Sequence, residues 1–358
     1  MARLGNLTNI RTGKLDANAA SPDGQYPFFT CSKETLRIAS YQYDCECVLV
    51  AGNGDLNVKY YNGKFDAYQR TYIIESQDKA ILFVPYLYYF LDGYVETLRE
   101  QAIGGVIKYI KLGNLTEADI PLPNLEWQIK IVDRLQKLEN LISLRKQQLA
   151  KLDELVKARF VEMFGDITET VPLSHYINAL IAGKSLAGEK ECSNKVLKTG
   201  AATYDSFDPT QVKNLPLDYV PQSEHLLKTG DVIISRMNTL ELVGAAAYVW
   251  EAPPNTYLPD RLWRAELYND AQPIFVWQML IQDTTKESIR RIASGTSGSM
   301  KNISKMELLG IEVTHVDVKL QKQFSNSVAQ VYKQKLTIQQ SLDKLEVLKK
   351  SLMQKYFG

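Results

Sequence analysis

The sequence has few of the residues from which metal sites are built. Its 358 residues include only four cysteines and three histidines. No Cys-x-x-Cys motif is present, and no two histidines stand at helical spacing. Because transition-metal sites need such clusters, we expect no metal site. Cys45 and Cys47 alternate along a predicted strand, so we expect two buried thiols on one face of it.

Long hydrophobic runs are also missing. The longest, residues 80–91, is too short to span a bilayer and contains Pro85. The N-terminus lacks the charged and then apolar layout of a signal peptide. Apolar residues make up 45% of the chain and charged residues 23%, which is ordinary for a globular protein with two or three domains. We therefore expect a cytoplasmic protein with no membrane partner.

No strong charge of one sign is present either. The formal net charge is +1, far from the basic balance typical of a nucleic-acid-binding domain. The distribution is uneven, because residues 128–165 carry +3, residues 321–358 carry +5 and the remainder carries −7. If the remaining segments bind DNA, their basic residues must be clustered locally.

Motifs of DNA-metabolising enzymes are absent from the sequence. An amino-methyltransferase needs Asn/Asp-Pro-Pro-aromatic, and the nearest string, residues 252–255, is Ala-Pro-Pro-Asn. No Gly-x-x-x-x-Gly-Lys-Ser/Thr is found, and Gly52-Asn53-Gly54 lies in a predicted turn. The Pro-Asp pairs are not followed by an obvious Glu-x-Lys of a nuclease. We expect a non-catalytic chain that carries no cofactor of its own.

One stretch occurs twice. Residues 128–165 align without a gap to residues 321–358, at an offset of 193 positions. Identical residues are sparse, but the apolar pattern is kept through most of the length. Asn124 and Asp317, at the same offset, are favoured N-caps, and both stretches end at glycine. The pattern predicts two long helices, each following a globular segment.

The apolar residues of both stretches fall at alternating steps of three and four, which is typical of helix pairing. We expect the two helices to pair with each other; the alternative is that each packs only on its own domain. Four cations, Arg145, Arg159, Lys335 and Lys349, interrupt this seam and are expected to set register or to face partners. The residues predicted to pair the helices are Leu135, Leu138, Ile142, Leu149, Leu152, Val328, Val331, Ile338, Leu342 and Leu345.

The first globular segment consists of short apolar runs divided by turn signals. Residues 47–51 predict a buried strand, and residues 59–65 predict a hairpin with Asn62-Gly63 at its tip. Residues 80–98 are apolar and rich in aromatic side chains, which indicates a helix packed against a sheet.

The second globular segment also consists of short apolar runs divided by turn signals. Residues 227–236 predict a tight turn into a buried strand, residues 245–249 a further strand, and residues 290–299 a basic and then flexible, hydroxyl-rich loop. The predicted segments are a first domain at 1–123, a helix at 124–165, a second domain at 166–316 and a helix at 317–358.

Basic and amide side chains near these turns are candidates for DNA contacts. Lysine and arginine suit phosphate oxygens, and arginine or asparagine can bond base edges in pairs. For each single residue, a solvated or salt-bridged surface group is an equally good interpretation. The candidates are Lys14, Asn53, Lys59, Tyr60, Asn62, Lys64, Arg70, Lys108, Lys184, Arg236, Asn238, Arg261, Arg264, Arg290, Arg291, Ser294, Ser297 and Lys301.

Several strings resemble a known family. Ile-Pro-Leu-Pro at 120–123 runs through the helix into Leu-Asp-Glu-Leu at 152–155 and Phe-Val-Glu-Met-Phe-Gly-Asp at 160–166. This order resembles the central region of specificity subunits of type I restriction–modification systems. The two Gly-Lys pairs, the strand at 230–236 and the Ser-Gly-Thr-Ser-Gly-Ser loop resemble their target-recognition domains.

The resemblance implies an α+β protein with two globular α/β target-recognition domains separated by two long helices. These helices would pair as an antiparallel coiled coil in a pseudo-twofold internal repeat. Each domain would read one half of a bipartite, asymmetric DNA target. Helices of about 55 Å would hold the domains about one DNA turn apart, on the order of 35 Å.

The same resemblance implies partners and cofactors. Two methylation subunits would bind the helices and supply catalysis, and restriction subunits would join for cleavage. S-adenosylmethionine, ATP and Mg²⁺ are expected only in those subunits. The alternative function is a scaffold that does not bind DNA and whose coiled coil assembles partner proteins.

Overall fold

A computed structural model of the chain describes residues 1–295 and 300–358. The chain divides into two compact units, Met1–Gln147 with Ile338–Gly358, and Gln148–Thr337. Each long helix contributes one part to each unit. Within the described ranges the α-helices are α1 Val84–Gln101, α2 Leu112–Thr116, α3 Leu125–Phe164, α4 Pro273–Leu280, α5 Asp283–Ile292, α6 Lys305–Leu309 and α7 Val318–Phe357.

The long helices α3 and α7 begin at the predicted caps. The Asn124 side-chain oxygen accepts a hydrogen bond from the Trp127 backbone N–H at 3.0 Å, and that of Asp317 accepts one from the Lys319 N–H at 2.7 Å. Both caps satisfy backbone donors that have no partner within the helix. Helix α3 ends immediately before Gly165, where an added Cβ would lie 2.6 Å from the Val161 carbonyl oxygen. A close backbone approach therefore favours glycine there.

The first unit is built on a six-stranded mixed sheet of order β2-β7-β5-β6-β3-β4. Strands β3 and β6 are parallel and the other neighbours antiparallel. A small ladder, β1 with β8, closes the unit. The strands are β1 Ala2–Arg3, β2 Thr8–Thr12, β3 Tyr26–Phe29, β4 Leu36–Ile38, β5 Tyr43–Ala51, β6 Val58–Ala67, β7 Thr71–Ser76 and β8 Asp119–Ile120.

Alternation along β5 divides the core of this unit between the two sheet faces. Val48 and Val50 belong to the cluster that includes the buried residues of α1, whereas Cys47 and Leu49 belong to a cluster on the other face. Because neighbouring strand residues point to opposite faces, one strand serves both layers. Cys47 is fully buried and Cys45 only partly buried. Of the two thiols that were expected to be buried, only that of Cys47 is.

The predicted hairpin at residues 59–65 is wrong. Strand β6 runs through Asn62 and Gly63, which pair with Glu46 and Cys45 of β5. The turn lies earlier, between the β5 and β6 ends that pair at Val50 and Val58. Gly63 has φ +134°, a backbone conformation that glycine tolerates inside a strand. Asn-Gly here therefore accommodates strand geometry instead of a turn.

The second unit contains an antiparallel four-stranded sheet of order β10-β17-β13-β15. A three-stranded sheet, β12-β11-β16, and two small ladders, β14 with β18 and β9 with β19, complete it. The strands are β9 Thr170–Pro172, β10 Ile177–Ala182, β11 Lys195–Leu197, β12 Val212–Asn214, β13 Val232–Ser235, β14 Met237–Asn238, β15 Ala246–Tyr248, β16 Thr256–Tyr257, β17 Leu262–Leu267, β18 Lys301–Asn302 and β19 Glu312–Thr314.

Strand β13 is the predicted buried strand, and all four of its residues are buried. The predicted loop at residues 290–299 is only partly correct, because Arg290 and Arg291 lie in the last turn of α5. Basic residues suit a helix C-terminus, where the helix dipole is negative. Ser294 pairs with Asn302 through two backbone hydrogen bonds of 2.9 and 2.8 Å. Ser297 lies outside the described residues.

In the first unit the two long helices run antiparallel. The Lys349 ammonium contacts Glu139 at 2.7 Å, and Lys146 contacts Glu346 at 3.0 Å, so positions advance on α3 as they recede on α7. Of the predicted pairing residues in this unit, Leu135, Leu138 and Leu342 are buried, and Ile142, Ile338 and Leu345 are partly buried.

In the second unit the same two helices are again antiparallel. Lys335 pairs with Asp153 at 2.5 Å, and the Phe160 and Phe324 rings meet edge to face with centroids 5.5 Å apart. Of the predicted pairing residues in this unit, Val328 is buried, and Leu149, Leu152 and Val331 are partly buried. The predicted α+β fold with paired long helices is confirmed.

The ion pairs of Lys349 and Lys335 differ in their surroundings, so replacing each by leucine should have different effects. Glu139 is 33% exposed and also accepts a hydrogen bond from the Tyr89 hydroxyl, whereas Asp153 is 59% exposed. Lys349→Leu should lower the free energy of unfolding by about 1–2 kcal/mol because a half-buried carboxylate loses its cation. Lys335→Leu should change it by less than about 0.5 kcal/mol. Urea denaturation measures both, and equal losses would contradict the interpretation.

Candidate nucleic-acid interface

Four of the candidate residues of the first unit meet at one end of its sheet. Lys14 follows β2, Arg70 precedes β7, and Asn53 follows β5. Backbone hydrogen bonds join these segments, since the Gly52 N–H donates to the Arg70 carbonyl at 2.8 Å and the Gly54 N–H donates to the Lys108 carbonyl at 3.0 Å. Lys14, Arg70 and Lys108 are exposed, and Asn53 is partly exposed. We call Lys14, Asn53, Arg70 and Lys108 the first sheet end.

The second unit has an equivalent arrangement. The Arg236 N–H donates to the Arg261 carbonyl at 3.1 Å, and Asn238 pairs with Lys301 across the β14–β18 ladder. The Ser185 hydroxyl bonds to Asp260, which brings the segment carrying Lys184 beside Arg261. We call Lys184, Arg236, Asn238, Arg261, Ser294 and Lys301 the second sheet end.

The two sheet ends share their backbone bonds. The Ile110 N–H donates to the Gly52 carbonyl at 2.9 Å, and the Ile303 N–H donates to the Arg236 carbonyl at 3.0 Å. Gly52 and Arg236 therefore occupy equivalent positions in the two units. By the same correspondence Lys14 matches Lys184, Arg70 matches Arg261 and Lys108 matches Lys301. The internal repeat thus includes the globular parts as well as the helices.

Glycine is required before the matched lysines. A Cβ at Gly13 would lie 2.1 Å from the Ala67 carbonyl oxygen, and one at Gly183 would lie 1.9 Å from the Leu258 carbonyl oxygen. In both units the chain therefore leaves the sheet by passing directly against another backbone segment. This close approach gives the two Gly-Lys pairs in the sequence a physical reason.

The cations of the second sheet end are partly held in place. The Arg236 Nε donates to the Asn302 side-chain oxygen at 3.3 Å, and the Arg236 guanidinium carbon lies 5.6 Å from the centre of the Trp263 ring. The Lys301 ammonium donates to the Gly295 carbonyl at 3.2 Å. Such contacts fix the direction of long side chains, which lowers the entropy cost of binding an anion or a base edge.

Four candidates lie along β6 and have local roles. The Lys59 ammonium donates to the Ser32 carbonyl at 2.5 Å and to the Asn57 side chain at 2.6 Å, and burial lowers the pKa of Lys59. Burial and Glu46 raise the pKa of Tyr60 to about 12. Lys64 lies 4.8 Å from the centre of the Tyr41 ring, and Asn62 is exposed opposite Glu46.

Arg264 is held by the fold. Its guanidinium donates to the Leu226 carbonyl at 3.1 Å and to the Glu224 carbonyl at 2.9 Å, and its side chain is only 11% exposed. On α5, Arg290 donates to the Glu241 carbonyl at 3.4 Å, and Arg291 pairs with Glu287 at 3.7 Å on the exposed surface. None of these contacts links the three arginines to a sheet end.

Two buried glutamines were not among the candidate residues. The Gln128 amide donates to the Ile81 and Pro123 carbonyls, each at 2.8 Å, and its oxygen accepts from the Phe83 N–H at 2.9 Å. This bond caps the start of α1. Gln321 donates to the Val316 carbonyl at 2.8 Å and accepts from the Gln272 N–H at 3.0 Å, which caps α4. Their identity at the 193-residue offset was the available signal.

A family model described as the type I restriction modification DNA specificity domain matches residues 1–154. The match covers the first globular segment and most of helix α3. The predicted resemblance is thereby confirmed. The specificity subunit of the type I restriction enzyme EcoDI of Escherichia coli is 41% identical over 154 residues, which are 43% of this chain and 34% of the relative.

The specificity subunit of the type I restriction enzyme EcoKI, from Escherichia coli strain K12, is 23% identical over 290 residues. The match covers 74% of this chain and 62% of the relative. The chain therefore spans about a third of the first curated relative and less than two thirds of the second.

Solved structures show a likeness in fold over the whole chain. The S subunit of the type I restriction-modification system from M. genitalium superimposes with a TM-score of 0.67 at 16% identity, covering 100% of this chain and 95% of that one. A chain from a structure concerned with complex assembly of the type I R-M system gives a TM-score of 0.58 at 14% identity, covering 99% and 96%. At these identities the likeness establishes the fold.

Two searches of the described residues gave negative results. No cluster of three or more histidine, cysteine, aspartate or glutamate side chains suited to holding a metal ion occurs in residues 1–295 and 300–358. Over the same ranges, no helix combines the length and the apolar character needed to cross a membrane.

Proposed function

We propose that the chain is the DNA-specificity subunit of a type I restriction–modification complex, and that each globular domain reads one half of a bipartite, asymmetric target. The observation that carries this proposal is the repeated sheet end. Equivalent backbone bonds and strand registers place Lys14 and Lys184, Arg70 and Arg261, and Lys108 and Lys301 at matching positions. The first of the two lies within a specificity domain.

The residues of each sheet end divide between two tasks. Exposed lysines neutralise phosphates and fix register, because phosphate contacts carry affinity without sequence information. Arginine can bond the O6 and N7 atoms of guanine together, and asparagine can bond adenine in the same way. We therefore assign Lys14, Lys108, Lys184 and the partly exposed Lys301 to phosphates, and Arg70, Arg261 and Asn238 to base edges.

The long helices would set the spacing of the half-sites and dock two methylation subunits. Large apolar side chains stay exposed on them, and these support a docking role. Examples are Leu141 and Leu144 in the first unit, and Leu155 and Val161 in the second. Restriction subunits would join the same assembly. Catalysis, S-adenosylmethionine, ATP and Mg²⁺ would belong to the partner subunits, and the complex would act in the cytoplasm.

Domain replacement tests this function. Residues 1–122 would be exchanged for those of another specificity subunit, and the methylated motif would be read by methylome sequencing. We expect one half of the motif to change while the other half and the second domain's preference remain. A change of both halves would refute the modular reading. The absence of any methylated motif in the host with the unaltered system would favour the protein scaffold instead.

A further inference from the structure

A hairpin projects from the first sheet end. Ile103 and Tyr109 exchange two backbone hydrogen bonds of 3.0 and 2.9 Å, and Tyr109 bridges to Asn53 of the sheet end. Gly104 has φ +120°, and an added Cβ there would lie 2.7 Å from the Ile107 carbonyl oxygen. The stem is therefore narrow and fixed to the sheet, and its position is tied to that of Lys108.

The tip of this hairpin carries two apolar side chains that contribute nothing to the core. Val106 is fully exposed, and Ile107 is 63% exposed. Neither belongs to the hydrophobic clusters of the unit. Exposed neighbouring β-branched residues at a loop tip are a liability for a soluble domain unless a partner covers them.

The surroundings of the tip favour DNA as that partner. Residues 101–116 contain Lys108 and Lys111 but no acidic residue. The exposed Lys14 and Arg70 lie at the same sheet end. An apolar tip framed by cations matches the DNA major groove, where the thymine C5-methyl group is the apolar feature between flanking phosphates.

We propose that Val106 and Ile107 contact the C5-methyl group of a thymine in the half-site read by the first domain. This inference rests on the proposed function, because it assigns a specificity contact within the same interface. It makes the hairpin tip a determinant of sequence preference that acts without hydrogen bonds to the base. The Lys108 ammonium would hold the adjoining phosphate.

Deoxyuridine, which lacks the methyl group, tests the contact directly. The subunit, assembled with its methylation subunits, would be titrated with target duplexes in which each thymine of this half-site is replaced in turn. For the unaltered complex we expect one position to lose affinity about three- to ten-fold, since a buried methyl group contributes that much. The variant Val106→Ala with Ile107→Ala should bind the thymine duplex as weakly as the unaltered complex binds the responsive deoxyuridine duplex. Replacing thymine by deoxyuridine at the responsive position should then lower the affinity of the variant by less than two-fold.

Val220→Ala is the matched control, because Val220 is 86% exposed in the second unit, and it should retain the full deoxyuridine effect. The inference is overturned if no position responds in the unaltered complex, or if the tip variant keeps the response. Failure of the variant to assemble with methylation subunits would overturn it by assigning the tip to a protein contact. Failure of the proposed function would look different, as an unaltered complex that binds the target duplex and a duplex of unrelated sequence with equal affinity.

Discussion

Alanine at Lys14, Lys108, Lys184 and Lys301 should weaken DNA binding by the assembled complex roughly 100- to 1000-fold at physiological salt. These lysines occupy matching positions of the two sheet ends. Each lost phosphate contact should reduce the slope of log affinity against log salt by about 0.9. The slope should therefore fall by up to about 3.6. Fluorescence anisotropy over a series of salt concentrations measures both quantities.

The reduction should be the same for target and non-target duplexes, because phosphate contacts carry no sequence information. Lys64→Ala with Lys79→Ala is the control, since Lys64 lies against Tyr41 and Lys79 pairs with Glu46. It should leave the slope unchanged. Arg70→Ala should behave differently again and reduce discrimination more than non-specific affinity. If the control lowers the slope as much as the sheet-end variant, the phosphate assignment fails.

Gln128→Glu should lower the free energy of unfolding by about 2–4 kcal/mol. The substitution keeps shape and acceptor oxygen but removes the amide that donates to the Ile81 and Pro123 carbonyls. It also places a carboxylate where the side chain is fully buried. The Phe83 N–H at the start of α1 keeps its acceptor, so the loss comes from the missing amide donor and from the buried charge. Chemical denaturation of the full chain measures it.

Gln147→Glu is the control on the same helix, because Gln147 also recurs at the 193-residue offset but is exposed. Its expected effect is below about 0.5 kcal/mol. Gln321→Glu should fall between the two, since the Gln321 amide donates to one described carbonyl, that of Val316. Equal stability of the Gln128 and Gln147 variants would show that burial of the repeated glutamine has no energetic role.

The long helices could be predicted from the sequence because their signals are local and periodic. Asn124 and Asp317 cap the predicted starts, and the seam positions alternate at three and four. Local reasoning failed at Asn62-Gly63, where a turn signal lies inside β6. Pairing of residues 58–65 of β6 with β5 outweighs a two-residue turn preference. The local conformational preference of two residues is weak compared with the hydrogen bonds that a paired strand makes.

The sheet ends were only partly predictable. Lys14, Arg70 and Lys108 could each be nominated as basic residues near turns, but only the strand order brings them together. The matched pairs also lie at unequal offsets, 170 for Lys14 and Lys184 but 193 for Lys108 and Lys301, because the segments between strands differ in length. Arg264 shows the opposite error, since a basic residue in a strand binds backbone carbonyls inside the domain.

The backbone bonds from Ile110 to Gly52 and from Ile303 to Arg236 bear on how freely such a protein can diversify. They involve main-chain atoms alone, so they restrict side-chain identity very little at the positions they join. Segments 103–109 and 294–302, which lead into these two anchors, differ in length and share only a glycine near the start and a lysine near the end. New loops can therefore be accepted while the supporting sheet stays unchanged, and under the proposed function the preference for a DNA target would change at little risk to folding.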